Sequence, residues 1–187
     1  MRKKIGIFAG TFDPVHEGHI SFVRHAIEVL ELDQVYIIPE PIPVGKINVT
    51  PLPHRLEMAR MMFHDSPAVI IWETKLPTAR MPETIRELNV NEDELYILMG
   101  SDVAFGLKTW SNFQDIIQRC QLVIGIRDDQ DKKRLNTLMA HLGVFSSGYT
   151  LIKTESSGLS SSQIRQGFVP NHPNLQNYIR KHHLYSV

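Results

Sequence analysis

Apolar positions along the chain switch repeatedly between short β-prone runs and helical periodicities. Lys4 to Ala9 is a brief, mostly apolar strand pattern, and Ile20 to Leu32 carries the spacing of an amphipathic helix. Further strands are predicted at Gln34 to Pro39, Ala68 to Trp72, Glu94 to Met99, Gln121 to Ile126 and Tyr149 to Lys153. Helical patterns fill the gaps at Pro53 to His64, Pro82 to Asn89, Ser111 to Arg119 and Asp131 to Leu142, with two more at Ser162 to Gly167 and Asn174 to His183. Such order predicts a Rossmann-like, doubly wound α/β fold, a parallel sheet covered on both faces with right-handed crossovers. No repeat, low-complexity tract or linker divides the chain, so residues 1–187 read as a single domain.

In such sheets ligands collect at the carboxyl ends of the strands, near the switch point. The first strand runs there into Gly10-Thr11-Phe12-Asp13-Pro14-Val15-His16-Glu17-Gly18-His19. Gly10 lets backbone approach a ligand, Asp13-Pro14 makes a turn, and the two histidines flank the start of a helix. Unpaired N–H groups and the positive dipole end of a helix attract phosphate. Two imidazoles beside that terminus can donate to an oxyanion. A zinc site fits less well, because Gly18 suits a turn better than a helical ligand pair and no companion Cys or carboxylate cluster is evident.

Three other segments sit where they can serve the same site. Pro39-Glu40-Pro41-Ile42-Pro43-Val44-Gly45-Lys46 is stiffened by prolines and turns at Gly45 before a lysine. Gly100-Ser101-Asp102 follows the fourth strand. Leu159-Ser160-Ser161-Ser162-Gln163-Ile164-Arg165 offers helix-capping serines whose hydroxyls and amides can instead hold phosphate, with Arg165 in the first turn or so. Each also has a plain structural reading: a solvated lysine, an ordinary cap, an exposed arginine.

Composition narrows the class without naming a reaction. The 187 residues suffice for one sizeable core, and 20 basic against 20 acidic residues give no electrostatic footprint for nucleic acid or an anionic membrane. Cys120 is the single cysteine, which excludes an intrachain disulfide and fits a reducing, cytoplasmic setting. No signal peptide or bilayer-length apolar stretch is visible. A homo-oligomer is compatible with the sequence.

Thr11-Phe12-Asp13-Pro14 followed by His16-x-Gly18-His19 resembles the H-x-G-H signature of the nucleotidylyltransferase superfamily. Several segments together resemble the bacterial nicotinate mononucleotide adenylyltransferases: the proline-rich loop ending at Lys46, His54-Arg55-Leu56-Glu57-Met58, Gly100-Ser101-Asp102, Trp110, Ser160 to Arg165, and the closing Tyr178-Ile179 to Leu184-Tyr185. The resemblance implies transfer of AMP from ATP to the phosphate of a pyridine mononucleotide, with release of pyrophosphate. It implies His19 on the α-phosphate and His16 on a neighbouring one, Lys46 and Arg165 on the β- and γ-phosphates, and Ser161 and Ser162 as further donors. Gly10, Thr11 and Phe12 would border ATP, Asp102 would accept a ribose hydroxyl, and Trp110 would stack on the pyridine ring. Magnesium would travel with the triphosphate mainly through water, with no dedicated protein cage.

Two departures bear on the acceptor. Ala79-Arg80-Met81 stands where the family has Ser-Tyr-Thr beside the pyridine ring, and Val44-Gly45 stands where it has a second proline and a histidine. Arg80 introduces a cation able to pair with a carboxylate. Three readings follow: transfer to nicotinate mononucleotide, transfer by the same superfamily chemistry to nicotinamide mononucleotide or another phosphorylated acceptor, and a non-catalytic nucleotide-binding module.

Overall fold

The first strand of the computed structural model, β1 (Lys4–Gly10), is followed by α1 (Glu17–Leu30), β2 (Gln34–Pro39), α2 (Leu52–Met62), β3 (Val69–Ile71) and α3 (Met81–Leu88). The second half holds β4 (Glu94–Gly100), α4 (Ser101–Ala104), α5 (Phe113–Arg119), β5 (Cys120–Ile126), α6 (Asp129–His141), β6 (Tyr149–Lys153), α7 (Ser161–Arg165) and α8 (Pro173–Lys181). The structure describes residues 2–90, 93–110, 113–154, 160–167 and 172–185. The predicted start of the fifth helix at Ser111 and the lead-in Leu159 lie outside these residues.

All six strands run parallel in the order β3-β2-β1-β4-β5-β6, the doubly wound topology. The pleat sorts side chains between two cores. Ile5, Ile7, Leu95, Ile97, Met99, Leu122 and Ile124 face one layer, where α3, α5 and α6 add Ile85, Ile116 and Leu135. Phe8, Tyr96, Leu98 and Val123 face the other, where α1, α2 and α8 add Phe22, Met58 and Leu175. Strands buried on both faces read as continuous apolar runs, which is why they were visible in the sequence. Each fully buried aliphatic side chain contributes ~2 kcal/mol.

Every predicted strand and helix is present, with ends displaced by a few residues. Three short elements escaped prediction, α4 and the 3₁₀ turns at Leu107–Thr109 and Ser146–Gly148, because three or four residues are too few to show a period. β1 and β4 pair in register from Lys4↔Glu94 to Ile7↔Ile97, short of their carboxyl ends. The chain leaves β1 toward β2 and returns to β4 on the opposite side, and this reversal opens a crevice at the carboxyl ends of β1 and β4.

Candidate active site

The crevice has a volume of about 970 Å³, and its walls include Gly10 to Asp13, His16, His19, Lys46, Arg80, Asp102, Trp110, Ser160 to Ser162 and Arg165. That volume suits two nucleotides side by side. All the catalytic and substrate-contact candidates named from the sequence therefore border one cavity.

The histidines owe their placement to the turn after β1. Phe12 adopts a left-handed backbone (φ 49°), uncommon for an aromatic residue, and its ring packs edge-on against Phe8 at 5.1 Å. The Asp13–Pro14 peptide is cis. His16 is extended (φ −149°) and caps α1, while His19 is the third residue of that helix. Gly18 is thus helical; the expectation of a turn at that position is corrected, since the helix starts at Glu17.

The two imidazole rings lie 3.9 Å apart, tilted by 37°. Nδ1 of His19 accepts the backbone N–H of His16 at 3.2 Å. A neutral His19 ring therefore carries its proton on Nε2, as a donor. Burial, and next the Arg127 guanidinium, push His16 down to about 4. Burial, and next the neighbouring His16, hold His19 well below the usual histidine range. Both rings are neutral at neutral pH. Nδ1 of His16 is buried with no hydrogen-bond partner among the described residues.

A network of tertiary bonds fastens this turn. Arg55, on α2 and 1% exposed, donates from Nε to the Thr50 carbonyl (2.8 Å) and from its two terminal nitrogens to Thr11 (2.8 Å) and Pro41 (3.4 Å). One guanidinium thereby ties the histidine turn to the proline-rich loop. Arg165 donates to the Asp13 carbonyl at 2.5 Å and to Ser162 Oγ at 3.1 Å, and Ser161 Oγ donates to the Pro14 carbonyl at 2.8 Å. Arg165 is the fifth and last residue of α7, at the end of its first turn, and it is half-buried against the turn instead of solvated. Ser160 is the cap, its Oγ accepting the Gln163 N–H.

The remaining residues differ in exposure. Lys46 is exposed, with Gly45 before it at φ +70°, a conformation suited to glycine. A Cβ on Gly100 would stand 2.6 Å from the Asp102 carboxylate, so glycine there leaves room for Asp102 to fold over the strand end. Trp110 is half-buried, packing on the core while also bordering the crevice. Arg80 is exposed at the start of α3, and the Ala79 N–H next to it is taken by the half-buried Glu40 carboxylate at 3.3 Å. Burial pushes that carboxyl up, offset in part by the Ala79 bond and Arg55. Arg127, beyond β5, borders the crevice beside His16 and was not singled out from sequence, since an isolated arginine after a strand has no distinguishing pattern. Cys120 is buried in the core at the start of β5, its thiol pushed up to about 11 by burial. Among the described residues no group of three or more His, Cys, Asp or Glu side chains could hold a metal ion, and no helix is long and apolar enough to cross a membrane.

The cytidylyltransferase-like family model matches residues 7–167. A probable nicotinate-nucleotide adenylyltransferase of Solibacter usitatus is 30% identical over 98% of this chain and 100% of its own length. One from Dictyoglomus thermophilum is 35% identical over 68% of this chain and 69% of its own. The chain belongs to this nicotinate-nucleotide adenylyltransferase family. Its members are nucleotidyltransferases, which removes the non-catalytic module from consideration. The fold agrees: the Plasmodium falciparum nicotinic acid mononucleotide adenylyltransferase complexed with NaAD superposes with a TM-score of 0.76, at 20% identity, covering 98% of this chain and 97% of that one. The family resemblance seen in the histidine turn and the serine run thus extends over the whole sheet.

Proposed function

We propose that the chain transfers AMP from ATP to the phosphate of nicotinate mononucleotide, forming deamido-NAD and pyrophosphate. The observation that carries this reading is the pair of neutral histidines at the start of α1, one with its donor tautomer set by backbone, inside a crevice sized for two nucleotides.

The acceptor phosphate is already an anion, so the reaction needs no general base. It needs two anionic reactants aligned and the charge on the α-phosphate and departing pyrophosphate stabilised. His19 Nε2–H serves the α-phosphate as a preorganised neutral donor, and His16 orients a neighbouring phosphate. Lys46 meets the β- and γ-phosphates, joined by the Ser161 and Ser162 hydroxyls and by Arg165, which also braces the turn. Asp102 accepts a ribose hydroxyl, and Trp110 stacks on the pyridine ring. Mg²⁺ would arrive with the triphosphate and neutralise part of its charge; the side chains at that end are cations and hydroxyls, which suit phosphate oxygens.

The acceptor's acid group finds a cation in Arg80. The Glu40 carboxylate on the same wall favours the second reading, because a carboxamide could donate to it. Pyrophosphate release should be measured with ATP and a panel of acceptors: nicotinate mononucleotide, nicotinamide mononucleotide and unrelated phosphate monoesters. A higher kcat/KM for the acid supports the proposal. Preference for the amide moves the assignment to the second reading, and inactivity on every acceptor sinks both.

A further inference from the structure

Tyr185 lies in the turn after α8, remote in sequence from the histidine turn, yet its hydroxyl donates to Oδ1 of Asp13 at 2.5 Å. Asp13 is 3% exposed, and its other carboxylate oxygen accepts the Thr50 N–H at 3.2 Å. Its carbonyl accepts Arg165. Every oxygen of Asp13 is therefore occupied by a distant segment: the C-terminal turn, the loop before α2, and α7. Only Pro14 and Val15 separate Asp13 from His16, and Val15 is fully buried.

The segment that delivers Tyr185 is itself anchored. Tyr178 on α8 exchanges a hydrogen bond with Nδ1 of His54 on α2 at 2.9 Å, and its ring lies 4.3 Å from that of His182. Tyr185 keeps a left-handed backbone (φ 58°), uncommon for an aromatic residue and held where its contacts offset the cost. Burial, and next the bond to Asp13, raise its phenol well above the usual tyrosine range, so it stays a donor.

We propose that Tyr185 is a positioning residue for the transfer: by fixing the Asp13 carboxylate it sets the turn from which His16 and His19 meet the reacting phosphates. The inference rests on the transferase reading above. Its chemistry is the phenol's hydrogen bond to Asp13, beside a longer approach to Met58 Sδ at 4.0 Å, with no contact to substrate.

The test is Tyr185→Phe, alone and combined with His19→Ala, assayed with ATP and the preferred acceptor. Expected is a loss of about tenfold in kcat, the size of one charge-assisted hydrogen bond expressed at the transition state, with KM for ATP changed less than about twofold. In the His19→Ala background the same substitution should cost clearly less, since one of the two rings through which it acts is already removed. Wild-type kcat in Tyr185→Phe, or an equal loss in both backgrounds, overturns the proposal. Should Tyr185→Phe fail to fold, Asp13→Asn in the same cycle decides by the same criteria. An inactive wild type would fail the transferase reading; an active one indifferent to Tyr185→Phe fails this inference alone.

Discussion

His16 donates its backbone N–H to Nδ1 of His19, 3.2 Å away. Cap and catalytic candidate are thereby one unit: the residue that starts α1 also decides which nitrogen of His19 bears a proton. A hydrogen-bond donor of fixed direction suits phosphoryl chemistry, because it costs no reorganisation as charge develops.

His19→Ala should lower turnover by roughly a hundred- to thousandfold, as for other oxyanion donors. ATP affinity should fall much less, since ground-state contacts persist. Steady-state kinetics beside equilibrium nucleotide binding separates the two; near-normal turnover would contradict the role.

Both histidines should make the fold acid-sensitive. His16 has a folded value of about 4 against about 6.5 when unfolded. Between those values the unfolded chain binds more protons, so stability is complete above about pH 6.5 and falls as pH drops toward 4. For His16 alone the loss is about 3 kcal/mol, with His19 adding in the same direction. Urea denaturation at several pH values checks this, and His16→Gln should flatten the slope.

Arg165→Ala should reduce both stability and turnover, because the guanidinium braces the Asp13 carbonyl and, in the proposed function, also serves the nucleotide. Lys46→Ala, at an exposed position, should raise KM for ATP and lower turnover while leaving the melting temperature unchanged. Non-additive kinetics in the double variant would indicate a shared phosphate group.

Arg55→Met keeps the apolar stem but strands three backbone carbonyls. It should destabilise the protein on the order of 3 kcal/mol, through lost charged hydrogen bonds and unsatisfied acceptors. Thermal denaturation gives the measure, and an unchanged midpoint would show that Arg55 does not tie the two loops.

Arg80→Ala should erode any preference for the acid over the amide mononucleotide. An unchanged ratio of kcat/KM values would place Arg80 outside the acceptor pocket.

The parallel sheet was legible because buried strands such as Leu95 to Met99 are continuous apolar runs, and because Asp13-Pro14 and the histidines interrupt the pattern at a strand end. The crevice members were legible as local motifs. What braces them was not. Arg55 and Tyr185 stood in segments resembling the family, but their bracing partners did not show: Asp13 and Tyr185 are 172 residues apart, and only the fold surrounds Arg55 with the carbonyls of Thr11, Pro41 and Thr50. Periodicity reports which face is buried, but not which distant polar group will meet a side chain there. Arg127 was missed for the same reason: its proximity to His16 arises from β5 lying beside β4 in the sheet.

The central claim is that the acceptor's phosphate attacks the α-phosphorus of ATP in this crevice. Nicotinate mononucleotide carrying ¹⁸O in its phosphate tests it directly, with both products read by mass spectrometry. The account predicts that all of the label appears in deamido-NAD and none in pyrophosphate. Label in pyrophosphate, or unlabelled AMP accumulating with no dinucleotide, would contradict it.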